Sequence, residues 1–253
     1  MEHTTEIPRT ILRLSGEDVH HFLQNLVTNS IDQLDQQPVY AALLTPQGKY
    51  ISDFILVRDG TDVLLLVARP QAEALLQRLT MYKLRAKVTV EATDLKVRRG
   101  TGPAPEGAFQ DPRHPALGWH LIGTQEGSDG TDFDAIRVAH CIPESGIELT
   151  PDTFILEAGF ERLHGVDFRK GCYVGQEVTA RMKHKTELRK GLRTVQVSGP
   201  ADPGTEITAN GKTAGQLFTR AGDQAIAYLR FDRAQPPMQA GEAEVTLPET
   251  QDG

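Results

Sequence analysis

Among 253 residues there are only two cysteines, and one of them, Cys172, sits in Lys170-Gly171-Cys172-Tyr173-Val174-Gly175-Gln176-Glu177. Gly171 and Gly175 have no side chains to pack around a thiol and permit backbone angles that other residues resist. A cysteine so placed is better suited to a cleft than to the core, where free cysteine usually serves as a small hydrophobe. The reactive form is the thiolate, which nearby cations and a helix N-terminus favour. Val178 and Met182 recur at i, i+4, and Glu177, Arg181 and Lys185 form a second row, so the spacing predicts a helix from Gln176 with Cys172 about one turn upstream. Between Arg169 and Arg193 there are eight Lys/Arg and two acids, a segment of +6 in a chain of formal charge −7. The pattern predicts an accessible thiol with a lowered pKa.

Cys141 reads differently. It ends the apolar-periodic run Ile136-Arg137-Val138-Ala139-His140 just before Ile142-Pro143, where a packed, inert thiol needs no special account. The two cysteines, with His140 and His184 scattered near them, have no zinc or cluster ligand spacing, so no stably bound metal is expected.

The elements that must carry these residues can be read from periodicity. Thr10 to Leu14 has strand character, and Ser15-Gly16-Glu17-Asp18 offers capping and first-turn acids for a helix through Phe22, Leu23 and Leu26. Val39 to Leu44 and Tyr50 to Val57 read as strands joined by the type I turn Thr45-Pro46-Gln47-Gly48. Alternation puts Asp53 on the apolar face of Ile51, Ile55 and Val57. A carboxylate there is either hydrogen-bonded in a structural network or kept for a ligand. Val63 to Ala68, Pro70 to Met81 and Lys87 to Val90 form a β-α-β unit of ferredoxin-like type. Arg99 to Gly118, with four prolines, reads as a loop or linker. Thr131 or Asp132 can cap a helix to about His140. From about Leu188, short β-like runs separated by turns such as Asn210-Gly211 predict a small barrel or sandwich. The division expected is 1–98, an N-terminal α+β unit; 99–187, a middle α+β unit carrying the cysteine motif; and 188–253, a C-terminal β-barrel.

The length suffices for a full core without disulfide staples. The absence of a secretory segment at the start and of any apolar run approaching ~20 residues points to a soluble, intracellular protein without membrane association. An acidic total with pI near 5.6 argues against a general nucleic-acid binder, so contact with RNA is at most indirect.

Lys-Gly-Cys-Tyr-Val-Gly-Gln-Glu, continuing into Val178-Thr179-Ala180-Arg181, resembles the signature of the YgfZ-type folate-binding proteins, which include a mitochondrial relative acting in iron–sulfur cluster assembly. Leu14-Ser15-Gly16-Glu17-Asp18, Leu44-Thr45-Pro46-Gln47-Gly48-Lys49, Arg137 with Ile142-Pro143-Glu144, and Leu156-Glu157 look like further landmarks of that family. The resemblance implies an α+β fold like that of the glycine-cleavage aminomethyltransferase, with ferredoxin-like units and a C-terminal β-barrel. It further implies tetrahydrofolate binding, transient support of iron–sulfur client enzymes including those that thiomethylate tRNA, and Cys172 as the functional thiol. Glu157, Phe133, Tyr173, Arg181 and Lys183 become the candidate folate-site residues, with Glu157 or Asp53 bonding the pterin, Phe133 stacking on it and the two cations meeting the glutamate tail. The aminomethyltransferases carry two acids where this chain has Ser52-Asp53, which weakens the alternative of a folate-dependent aminomethyl or one-carbon transferase using Asp53. A cytoplasmic monomer is the expectation that completes this reading.

Overall fold

The computed structural model describes residues 7–184 and 187–248. The contacts of the described residues divide them into two compact bodies, one formed by residues 7–131 with Phe160–Arg181, the other by Asp132–Gly159 with the described residues from 182 to 248. Beside the division expected at 98/99 and 187/188, the first body runs on past residue 98 through Thr131, and the cysteine motif belongs to it.

In the first body, β1 (Arg9–Ser15), β2 (Val39–Leu44), β3 (Tyr50–Asp59), β4 (Asp62–Ala68) and β5 (Thr89–Ala92) form an antiparallel sheet of order β2-β3-β4-β1-β5. Helices α1 (Val19–Gln24) and α2 (Arg69–Tyr82) share a core with one face, where Val19, Phe22, Leu23, Leu75 and Leu79 meet Leu12, Leu14, Phe54, Leu56 and Leu65. Pro70 occupies the first turn of α2, where its missing N–H costs nothing. All six residues of β2 are buried, so the strand is covered on both faces and reads as a continuous apolar run. Asp18 precedes α1, but its carboxylate makes no cap; it accepts from the Lys87 N–H at 2.7 Å instead. The turn expected at 45–48 is present, with the Gly48 N–H donating to the Thr45 carbonyl at 2.8 Å.

The proline-rich stretch is more structured than its composition predicts. β6 (Lys96–Gly100), β7 (Phe109–Gln110), β8 (Trp119–Gly123) and β9 (Gly127–Ser128) form a second sheet of order β7-β8-β6-β9. Its prolines fall outside the strands, as they must where a ladder needs N–H donors. Inside it, Asp111 is fully enclosed, with Arg113 donating to both of its oxygens (3.0 and 2.8 Å) and His120 Nε2 at 2.8 Å. Burial opposes ionisation of Asp111, yet the Arg113 charge and the hydrogen bonds from His120 and Arg113 overcome it and hold the carboxyl well below the usual carboxylate range.

The second body begins with α3 (Phe133–Ala139), capped by Asp132 accepting from the Ala135 N–H at 2.9 Å. β10 (Lys190–Ser198), β11 (Glu206–Ala209), β12 (Lys212–Ala221), β13 (Gln224–Arg230), β14 (Met238–Ala240) and β15 (Ala243–Thr246) close into a barrel of order β10-β13-β12-β11-β14-β15. Asn210 and Gly211 take φ of 50° and 71°, the double left-handed turn that suits a two-residue hairpin. Val195, Val197, Ile207, Leu217 and Val245 alternate inward with Ala209, Ala214, Ala225, Ala227, Ala240 and Ala243, small residues that a narrow six-stranded interior requires. Buried Arg137 ties α3 to this barrel, donating to Glu148 at 2.8 Å and to the Thr219 hydroxyl at 2.9 Å.

Candidate functional site

Cys172 is exposed together with Gly171, and the residues that bracket this pair, Lys170 and Tyr173, are buried. On the N-terminal side, Lys170 is only 9% exposed and its ammonium donates to the carbonyls of Val27 at 2.6 Å and Asn29 at 2.9 Å. Burial pushes that ammonium down to about 8, against the pull of Asp167 and Asp32. On the C-terminal side, Tyr173 is buried beneath the Lys170 ammonium, 5.3 Å from the ring centre, and burial raises its hydroxyl above the ordinary range. Val174 packs against the helix-side core of the first sheet. Gly175, at φ +84°, lies so close to the β2–β3 turn that a Cβ would fall 2.6 Å from the Thr45 carbonyl oxygen. Gly48 faces it reciprocally, with room for no Cβ because Val178 would be 2.8 Å away. The octapeptide is thus fastened at Lys170 and at Tyr173–Gly175, leaving Gly171 and Cys172 as an exposed crest.

Helix α4 (Gln176–His184) begins four residues after the cysteine, as its periodicity predicts. Three of the cations near the thiol in sequence are engaged elsewhere or solvated. Lys170 is turned inward to backbone carbonyls, Arg169 is 95% exposed with Asp167 at 3.7 Å, and Arg181 pairs with Glu177 at 2.7 Å along the exposed face of α4. Lys183 is exposed one half-turn further on, and Lys185 lies outside the described residues. Cys141 departs from the expectation of a packed thiol: it is half-buried and adopts φ 51° just past the end of α3.

Asp53 is 2% exposed and accepts hydrogen bonds from the hydroxyls of Tyr40 (3.0 Å) and Tyr50 (2.6 Å). Ser52 beside it donates to Gln71 of α2 at 2.9 Å. The cavity next to Asp53, lined by Arg9, Tyr40, Arg113 and His120, measures about 10 Å³, space for one water and far too little for a pterin. Of the two roles open to Asp53, the structure therefore gives it the hydrogen-bonded network. The two tyrosines that satisfy it, Tyr40 and Tyr50, carried no sequence signal beyond lying on strands.

The remaining candidates belong to the second body. Glu157 is half-buried and accepts from the Tyr228 hydroxyl at 2.6 Å; burial and the carboxylate together push Tyr228 far above its ordinary range. Glu157 lines an open groove of about 1010 Å³ with His184, Arg189, Lys190 and Phe231. Phe133, expected to stack on a ring, is 1% exposed within the body. The aromatic ring that lines the groove is Phe231, with the Arg193 guanidinium 4.4 Å from its centre. Tyr228 carried no sequence signal because β-strand aromatics are common core residues, and Phe231 none because it stands alone in the turn after β13. The Glu157 groove has the volume for a pterin and is lined by an aromatic ring (Phe231), two cations (Arg189 and Lys190) and three carboxylates (Glu157, Glu187 and Asp232), whereas the space beside Asp53 is too small for one. No group of three or more His, Cys, Asp or Glu that could hold a metal ion occurs among the described residues.

Comparison with known proteins adds the family. Residues 189–251 match the model of the CAF17 C-terminal β-barrel domain. The glycine cleavage system aminomethyltransferase T from Bartonella henselae superposes with a TM-score of 0.74 over 94% of this chain and 81% of its own, at 14% identity, which establishes the α+β aminomethyltransferase-like fold. The mitochondrial iron–sulfur cluster assembly factor IBA57 of Mus musculus is 31% identical over 94% of this chain and 80% of its own length, and that of Homo sapiens 30% identical over 91% and 78%. Both relatives are described as mitochondrial, which overturns the expectation of a cytoplasmic protein. With close to a third of its residues shared along nearly its whole length, the chain belongs to the IBA57 family of iron–sulfur cluster assembly factors.

Proposed function

We propose that this protein supports iron–sulfur enzymes by presenting the Cys172 thiol to transient protein partners, with tetrahydrofolate held at the Glu157 groove. The observation that carries the reading is the exposed cysteine between two buried fastenings. A thiolate serves as an iron ligand or as a nucleophile at sulfur only where a partner can reach it. Fixing the flanking backbone in advance removes part of the ordering cost that a mobile loop would meet on docking. Bound folate would supply a pterin for Glu157 and Phe231 to orient and an anionic tail for Arg189 and Lys190. As in the YgfZ-type proteins it resembles, the clients would include enzymes that thiomethylate tRNA. One-carbon transfer is not favoured, because Ser52 and Asp53 are both engaged inside the fold and provide no accessible acid for a departing amine.

The test compares Cys172→Ser and Glu157→Gln with wild type in cells lacking the protein, reading iron–sulfur enzyme activity and thiomethylated tRNA, alongside tetrahydrofolate calorimetry on the purified proteins. Cys172→Ser is expected to keep its melting temperature and folate affinity and to fail rescue. Glu157→Gln is expected to weaken folate binding by at least about tenfold, the cost of losing one charge-assisted pair of hydrogen bonds. Full rescue by Cys172→Ser would remove the thiol from the mechanism.

A further inference from the structure

At the C-terminal end of α2, Met81 is 62% exposed and Leu84 86%, two of the three large hydrophobic side chains left in solvent among the described residues. Leu84 also has φ 45°, a left-handed conformation that Gly or Asn adopts at little cost and a leucine resists. Neither packing nor backbone geometry is served by leucine here, and strain kept at an exposed site points to a use outside the fold. The surroundings state what kind of use. Arg78, Lys83, Arg85 and Lys87 lie within ten residues that contain no acid, in a chain of net charge −7. Among the described residues Arg78 and Arg85 have no carboxylate partner, while the Lys83 ammonium rests on the Val88 carbonyl and Lys87 pairs with Glu17 at 2.8 Å. Tyr82, half-buried against the core, completes the knuckle.

We infer that this knuckle docks on an anionic phospholipid surface, with Leu84 and Met81 entering the headgroup boundary and Arg78 and Arg85 meeting phosphate. Two protruding apolar side chains among unpaired cations match an interfacial anchor. They are too few for the ~800 Å² per partner of a specific protein interface, whose centre is depleted in lysine. No helix of the described residues is long and apolar enough to cross a membrane, so the contact is peripheral. The knuckle sits at the opposite end of α2 from Gln71, which bonds Ser52, so docking would leave the other end of that helix free.

Cosedimentation with vesicles of phosphatidylcholine containing roughly one-third phosphatidylserine, against pure phosphatidylcholine, tests this in the full chain. Wild type is expected to bind the anionic vesicles, and binding should weaken with salt. Leu84→Gly should lower partitioning at least about tenfold and Arg85→Gln about fivefold. Because glycine and asparagine relieve the left-handed backbone, Leu84→Gly and Leu84→Asn should melt no lower than wild type, which separates lost docking from lost folding. Wild type that ignores anionic vesicles, or a Leu84→Gly protein that binds them as well as wild type, overturns the inference. So does cross-linking from position 84 to an acidic protein in the absence of vesicle binding.

Discussion

Replacing Lys170 with methionine tests whether the crest that carries Cys172 is held from below. The ammonium gives short hydrogen bonds to the carbonyls of Val27 and Asn29, and methionine of similar volume leaves both without that donor. Allowing for the relief of no longer burying a charge, the expected loss is about 1–3 kcal/mol at pH 7. The pH dependence is the sharper signature. Burial lowers the folded-state pKa to about 8, below the unfolded value of 10.5, so the unfolded chain binds the proton more tightly. Below pH 8 both states are protonated and the burial penalty is constant; between about 8 and 10.5 the folded state releases its proton first, and stability from this group rises with pH. For a fully enclosed group the gain between pH 7 and pH 9 is about 1.3 kcal/mol, and partial solvent contact brings it to roughly 1 kcal/mol. Methionine gains nothing, so the difference between wild type and Lys170→Met should widen by that amount. Urea unfolding followed by circular dichroism at pH 7, 8 and 9 reads it directly. A difference that stays flat or narrows across that range would refute the buried, proton-releasing anchor.

Gly175→Ala should cost about 2–4 kcal/mol in the same assay, since alanine meets both a left-handed φ and the Thr45 carbonyl, and it should change the rate at which Cys172 reacts with a disulfide reagent. Arg137→Met leaves the buried Glu148 carboxylate without its cation and should lower stability by about 3–5 kcal/mol, whereas Arg137→Met with Glu148→Gln, which removes the charge but keeps an acceptor for the Glu144 and Thr219 donors, should recover part of that; a double variant less stable than the single one would contradict the pairing.

Much of this fold was legible where one periodicity dominated. The hairpin around Pro46-Gln47-Gly48, the β-α-β unit with Pro70 in the first turn of α2, and the strand-rich C-terminal third all declared themselves through turn chemistry and alternation. The stretch from Arg99 to Gly118 did not, because proline and glycine content hides strands as short as Phe109–Gln110, and because a buried cluster such as Asp111, Arg113 and His120 has no local period. β14 escaped for the same reason: three residues between turns give alternation too little length. At the site, glycines flanking Cys172 correctly pointed to exposure, since they show where side chains are missing. The charge count carries no direction, because it is a sum over sequence. Lys170 faces Val27 and Asn29, more than a hundred residues earlier, and Arg181 answers Glu177. Phe133 and Phe231 were indistinguishable as platforms until burial separated them.

The barrel shuts by pairing its last strand with its first: Gln196 opposes Thr246, Val197 opposes Val245 and Ser198 opposes Glu244. During synthesis, therefore, the open edge of β10 waits through about fifty codons, a few seconds at ~5–20 residues per second, before its mate leaves the ribosome. A nascent sheet with that edge bare is a template for stray pairing. Premature termination anywhere before residue 243 would make the hazard permanent, so a short C-terminal truncation should produce aggregation far out of proportion to the few side chains it removes.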